Sequence, residues 1–256
     1  MKRILAASFL VGSLMVVAGI DRAEARKFDM KTETFATYFG GSYGLSNVGD
    51  YAFGQSGGNG VQTDQAVRTN YSGEFGITFT SDHGGIRLSG EYLLGKALAG
   101  VNGTNASGTS YYTLNSQVTA IIPMVSGEAP IWRGLDSRIM VGGGLGYAFV
   151  YLDQEYFMTS AGTSALGVSN YVEKSSTRTL AWKLFVSAEK QLVDTTTITI
   201  EAGYRSVKVG SLQSTKDTTA ISGTQTIGSD VKNMDGSLRA FDLGGAYMSL
   251  YFRFYL

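Results

Sequence analysis

Ten charged side chains recur at alternate positions within otherwise apolar stretches of this sequence. Glu74, Glu91, Lys183 and Glu201 fall at the middles of such stretches, Arg87, Arg138, Glu189 and Arg253 toward one end, and Arg68 and Arg205 toward the other. Carboxylates and cations sharing a confined interior must pair, because an unpaired buried charge costs several kcal/mol. Paired, they form an ionic plug that fixes register and blocks flow. If the pairs exchange, they form a gate or selectivity site, and small residues on the same face (Ala36, Gly40, Ser42, Gly142, Gly144, Gly146) leave room for water in a narrow pore. The plug is the preferred reading. Nucleophilic and metal chemistry have little to work with. His83 is the sole histidine, in Ser-Asp-His-Gly-Gly at 81–85, and reads as a turn residue. There is no cysteine, so no Cys/His ligand set can form; neither a metal nor a cofactor is expected. Gly142-Gly143-Gly144 lacks the Lys-Ser/Thr and helix of a phosphate loop, and its glycines suit strand curvature and close backbone approach. The sequons at Asn102 and Asn105 read as turn chemistry.

The elements that carry these charges alternate with a period of two, the pattern of strands whose faces meet different solvents. Eight segments follow: 33–45, 67–79, 86–94, 111–122, 138–151, 178–189, 195–205 and 246–256. Phe35, Phe39, Tyr43 and Leu45 form the apolar face of the first, and Val67, Tyr71, Phe75, Ile77 and Phe79 that of the second. In the fourth, Tyr112, Leu114, Val118 and Ile122 are assigned to the apolar outer face, against Thr113, Asn115, Gln117 and Thr119. Connections after the odd-numbered segments (about 46–66, 96–110, 152–177 and 206–238) are long and rich in Gly, Ser, Thr and Asn. Those after the second and sixth are tight, and the one after the fourth is intermediate and holds Pro123 and Pro130.

Composition narrows the class. The 256 residues include 34 Gly, 15 Tyr, 13 Phe and 2 Pro, with 16% charged residues and no net charge, which argues against a nucleic-acid partner. Lys2 and Arg3 precede an apolar run from Ile4 to Ile20, and Ala23-Glu24-Ala25 offers a small-x-small site. Residues 1–25 therefore read as a secretory signal peptide cleaved after Ala25, with 26–256 as the mature domain. Beyond it no apolar stretch approaches the roughly 20 residues of a membrane helix. The expected fold is all-β: an eight-stranded antiparallel transmembrane barrel in an up-and-down meander, with both termini periplasmic. Such a barrel needs aromatic girdles, and Tyr43, Tyr71, Tyr92, Tyr112, Tyr151 and Tyr204 fall near the long-loop ends, with Phe35, Phe79, Phe254 and Trp132 near the short-turn ends. Ten strands is the competing count, through the weak alternation at 218–230, which is read instead as a hairpin extension above the membrane.

The last segment carries a family resemblance. Met248, Leu250, Phe252, Phe254 and Leu256 alternate in the manner of the C-terminal assembly signal of Gram-negative outer-membrane proteins, although Leu256 stands where Phe is usual. The mature chain resembles small eight-stranded barrels of the OmpA-transmembrane, OmpX and OmpW kind. Nothing follows Leu256, so the peptidoglycan-binding domain of full-length OmpA-type proteins is not expected. The resemblance implies an outer-membrane location and, as partners, outer-membrane lipid and lipopolysaccharide, the barrel-assembly machinery and periplasmic chaperones, and a surface ligand at the loops. It implies a non-enzymatic role in envelope structure or surface binding and adhesion, with a narrow pore for ions or small solutes as the alternative. Lipid-modifying and protease barrels use a histidine facing the outer leaflet or the cell exterior, whereas His83 falls in an expected periplasmic turn.

Overall fold

The computed structural model describes residues 34–49, 62–63, 67–95 and 97–256; the expected signal peptide and most of the first long connection lie outside the described residues. Among these residues eight strands close a ring: β1 (Phe35–Gly49), β2 (Val67–Ser81), β3 (Gly84–Gly95), β4 (Ser110–Arg133), β5 (Ser137–Met158), β6 (Tyr171–Val193), β7 (Thr196–Val209) and β8 (Gly245–Tyr255). Each pairs antiparallel with its neighbour in the chain, and β8 pairs back with β1. The last backbone amide, that of Leu256, donates to the Phe35 carbonyl at 3.2 Å. The ring has no free edge, the condition for strands to cross a bilayer.

Register fixes the shape of the ring. Ala36 pairs with Thr78, which pairs with Arg87, and the path continues through Ser126, Gly144, Lys183, Arg205 and Gly245. Extending the Gly44–Tyr247 ladder returns Gly245 to residue 46, ten residues along β1 from the start. Eight strands with this stagger tilt strongly and enclose an interior that side chains can fill.

About ten residues are enough for a tilted strand to cross a bilayer. β1, β2, β3, β7 and β8 have 11 to 15 residues, whereas β4, β5 and β6 have 24, 22 and 23. The three long strands rise past the membrane as a wall, extended by the short strand Leu98–Thr104 on β4 and by Gln213–Ser214 on β6. The connection expected after the fourth segment is thus strand up to Arg133, and only residues 134–136 turn. Much of the expected loops at 96–110 and 152–177 is likewise strand, joined at 160–166 by helix α1 (Ser160–Leu166). α1 begins where the Thr159 side chain accepts from the Gly162 N–H, and it ends at Gly167 with φ of 70°.

The wall inverts the polarity of the barrel. At membrane height Ile121, Val125, Leu145, Leu180 and Leu184 face outward and the charged residues inward. Above that height Thr113, Asn115, Gln117, Asp153 and Glu155 face outward, and Leu114, Val118, Val150 and Leu152 are buried inside. The external solvent changes from lipid to water, so the side that must hide apolar surface changes too. The outward assignment of Tyr112, Leu114, Val118 and Ile122 is therefore corrected. All four point into the interior, and Tyr112, expected in the girdle, is fully buried beside Tyr156.

The segment from 210 to 244 folds over the inner side of this wall. It contains the two-stranded hairpin Thr218–Ala220/Gly223–Gln225, which pairs with no barrel strand. The ten-strand alternative falls and the hairpin reading holds. Leu212, Val231, Phe241 and Leu243 from this segment share one apolar core with Leu93, Leu114, Val150 and Val207 from the strands.

Candidate functional site

Alternation places one side chain in two inside the ring, and at membrane height these are the charges. Glu74, Arg87, Glu91, Arg138, Lys183, Glu189, Glu201 and Arg253 are all buried in the lumen. Arg205 and Glu128 join them, so that five carboxylates face five cations. Arg68 stays exposed at the outer end.

Nearest the periplasm, Arg253 forks onto Glu128 with both terminal nitrogens, at 2.9 and 3.0 Å, and reaches Glu189 at 3.1 Å. Glu189 also accepts from Arg138 Nε at 2.9 Å, Thr197 Oγ1 at 2.5 Å and the Tyr255 hydroxyl at 2.7 Å. One level up, Arg87 donates to Glu201 at 2.8 Å and Tyr247 to the other oxygen of Glu201 at 2.7 Å. Lys183 meets Glu74 at 3.0 Å, and Tyr38 and Tyr251 each donate to Glu74, at 2.8 and 2.9 Å. At the top Arg205 contacts Glu91 and donates to Asn70 at 2.8 Å. Asn70 in turn donates to the backbone carbonyl of Leu243, in the segment that covers the lumen. Charge-assisted, partly bidentate bonds of this kind offset the desolvation that burial imposes.

The room that small inward residues offered is occupied. A side chain at Gly40 would run into the Tyr251 ring and the Leu250 carbonyl, one at Gly76 into the Tyr38 ring, and one at Gly142 into the Phe185 ring. At Gly144 the space belongs to Ser126 and Met124. These rings also hold the charges: the Arg87 guanidinium lies 4.5 Å from the Phe185 ring centre, with Tyr38 and Tyr251 at 5.6 and 5.8 Å.

A further buried ion pair sits above the membrane. Arg239, within the covering segment, contacts Glu173 on β6 and donates to Gln154 on β5 at 2.6 Å, with Asn233 at 3.4 Å. Burial opposes the charge on Arg239, but Glu173 and its hydrogen bond hold the guanidinium pKa above its ordinary value. Nearby, burial pushes the Tyr112 hydroxyl up to about 12.

Sequence reasoning missed three parts of this arrangement. Glu128 was hidden between two prolines read as loop markers. The inward tyrosines were visible in the alternation, Tyr38, Tyr247, Tyr251 and Tyr255 among them, but were not recognised as carboxylate partners. The Arg239–Glu173 pair joins residues far apart in the chain, and no local pattern announces it.

On the outer surface Tyr43, Tyr71, Tyr92, Tyr151, Tyr204 and Phe79 are exposed, and Phe35 and Phe254 are half-exposed. Tyr43 and Tyr71 pack with centroids 5.3 Å apart at the outer end, as do Phe35 and Phe79 at the other. Met248, Leu250, Phe252 and Phe254 share the same lipid-side face of β8, and Leu256 ends exposed beside β1. His83 is exposed in the β2–β3 turn, and no cluster of three or more His, Cys, Asp or Glu suited to a metal occurs among the described residues.

A closed eight-stranded ring with an apolar, aromatic-edged exterior and a filled, charged interior defines a small bacterial outer-membrane β-barrel protein. No protein-family model matches the sequence, and no curated protein matches it. Among solved structures the chain is similar to the outer membrane protein OprG from Pseudomonas aeruginosa, with 12% identity over 88% of this chain and 97% of that one and a TM-score of 0.41. It is also similar to a major outer membrane protein from Thermus thermophilus, with 12% identity, 86% and 99% coverage and a TM-score of 0.48. The outer membrane protease OmpT from Escherichia coli is a further neighbour, with 9% identity, 89% and 98% coverage and a TM-score of 0.41. At such identities residue roles rest on this chain's own geometry.

Proposed function

We propose that this chain is a non-conducting, non-enzymatic barrel that carries a structured wall on the cell surface, serving envelope structure or surface binding. The observation that supports this most is the filling of the lumen: five carboxylates are matched by five cations, and ring side chains occupy the space above the inward glycines. The covering segment, held by Arg239 and by Leu243 above Asn70, supports the same reading. So does the position of His83, on a turn at the end opposite the extracellular wall. Lipid and lipopolysaccharide surround the belt in this account, the assembly machinery and periplasmic chaperones deliver the chain, and a surface ligand meets the wall and its loops.

Planar bilayer recording tests it. The refolded protein is expected to give no stepwise conductance while heat-modifiable gel mobility shows that the barrel has formed. Stepwise channels in the wild type that change in Lys183→Ala would assign the chain to the narrow-pore class, with its gate at the Glu74–Lys183 pair.

A further inference from the structure

The ladder between β6 and β7 ends at Ala181–Val207, and the next contact of this kind is Gln213 with Ser176. Between these points the two strands part, and the Thr179 hydroxyl bonds the Lys208 carbonyl at 2.7 Å where ladder bonds would otherwise run. A cleft of about 440 Å³ opens beside this gap, lined by Phe149, Tyr151, Ser176, Arg178, Ser211 and Gln213 together with Thr177.

The position of the cleft is defined by the lipid belt. Arg178 follows Leu180 and Trp182 up the outward face of β6, and those two residues are exposed at 60% and 36%. Further along that face comes Lys174, ion-paired with Asp153 in the water-facing part of the wall. Arg178 thus stands at the boundary between hydrocarbon and water on the extracellular side, where lipid headgroups lie.

Its chemistry is that of an anion site. Arg87, Arg133, Arg138, Arg205, Arg239 and Arg253 each contact a carboxylate. Arg178 is exposed, with the Phe149 ring centre 5.4 Å from its guanidinium carbon. The guanidinium lies over the ring face, and no ion pair of Arg178 with a carboxylate occurs among the described residues. Hydroxyl and amide donors from Ser176, Thr177, Ser211 and Gln213 line the same cleft. A planar fork takes a carboxylate or a phosphate alike, and the neutral donors around it supply partners for the further oxygens that only the tetrahedral anion carries.

We infer that this cleft holds a phosphate group of an outer-leaflet glycolipid, with Arg178 as the principal ligand and the Phe149–Tyr151 side against the lipid body. This site is independent of whether the lumen conducts.

The test is native mass spectrometry of the folded barrel in mild detergent, with phosphorylated lipid A, dephosphorylated lipid A and inorganic phosphate added separately. One phosphorylated lipid is expected to remain bound, preferred over its dephosphorylated form by about tenfold, the loss of one charge-assisted bond. Arg178→Gln should abolish this preference and Arg178→Lys should retain part of it. Lys190→Gln, the same change of charge at the periplasmic end of β6, should leave it intact. Heat-modifiable mobility confirms the fold of each variant. Equal retention of the two lipids, or an unchanged preference in Arg178→Gln, would overturn the site. Inorganic phosphate that displaces the lipid at comparable concentration would make it a free-anion site and overturn the glycolipid assignment.

Discussion

Arg253→Met is expected to destabilise the barrel by about 3–5 kcal/mol, the range for removing one partner of a buried ion pair. Arg253 is fully buried and bridges Glu128 and Glu189. Without it Glu189 keeps Arg138, Thr197 and Tyr255, but Glu128 keeps only Arg87 Nε at 3.8 Å. The substitution leaves a buried carboxylate with no hydrogen-bonded cation, so adding Glu128→Gln to Arg253→Met should recover part of the loss. The check is the urea midpoint of the folded band, compared across wild type, single and double variants. A single variant as stable as the wild type would mean that water reaches Glu128 and that the periplasmic half of the lumen is open.

Arg239→Met is expected to release the covering segment while leaving the barrel folded. Glu173 and Arg239 are both about 1% exposed, and their contact fastens residues 210–244 to β6. Losing about 3 kcal/mol at this point raises the opened population roughly a hundredfold. Proteolysis follows that population when closing is fast. Limited digestion of the variant should therefore cut within 210–244 about a hundred times faster, with heat-modifiable mobility unchanged. Cutting at the wild-type rate would place the hold elsewhere, in the apolar contacts of Leu212, Val231 and Leu243.

The ring itself was legible because lipid on one side and a filled lumen on the other impose strict alternation. The apolar faces of β1, β2 and β8, and the inward charges on β2, β3, β5, β6, β7 and β8, were all read on the correct side. β4 was reversed because it crosses from one solvent into another. Within it Ile121, Val125 and Ile131 are the lipid-side set, whereas Leu114, Val118 and Ile122 belong to the water-side core. The two sets have opposite parity, and the adjacent pair Ile121-Ile122 is where they meet. That doublet was the signal available in the sequence.

The prolines misled for a physical reason as well. Pro130 sits at a register irregularity of the β4–β5 ladder, and Pro123 falls between the paired residues Ile121 and Met124 of the same ladder. Strands tolerate proline at such points. Reading both as loop markers concealed Glu128, the carboxylate that Arg253 grips on both oxygens. The covering segment was out of reach for a different reason. Its hold depends on Arg239 meeting Glu173 and on Leu243 meeting Asn70, contacts that only the closed ring creates.

The absence of cysteine makes the sealed lumen directly testable. Ser249 faces the lumen at 5% exposure, and Gln117 faces water on the outer side of the wall. Single variants Ser249→Cys and Gln117→Cys, folded in lipid vesicles, would be exposed to a small charged methanethiosulfonate reagent. A sealed barrel predicts rapid labelling at position 117 and none at position 249 until the protein is denatured. Labelling of folded Ser249→Cys at a rate near that of Gln117→Cys would contradict the account and show a continuous aqueous path through the barrel.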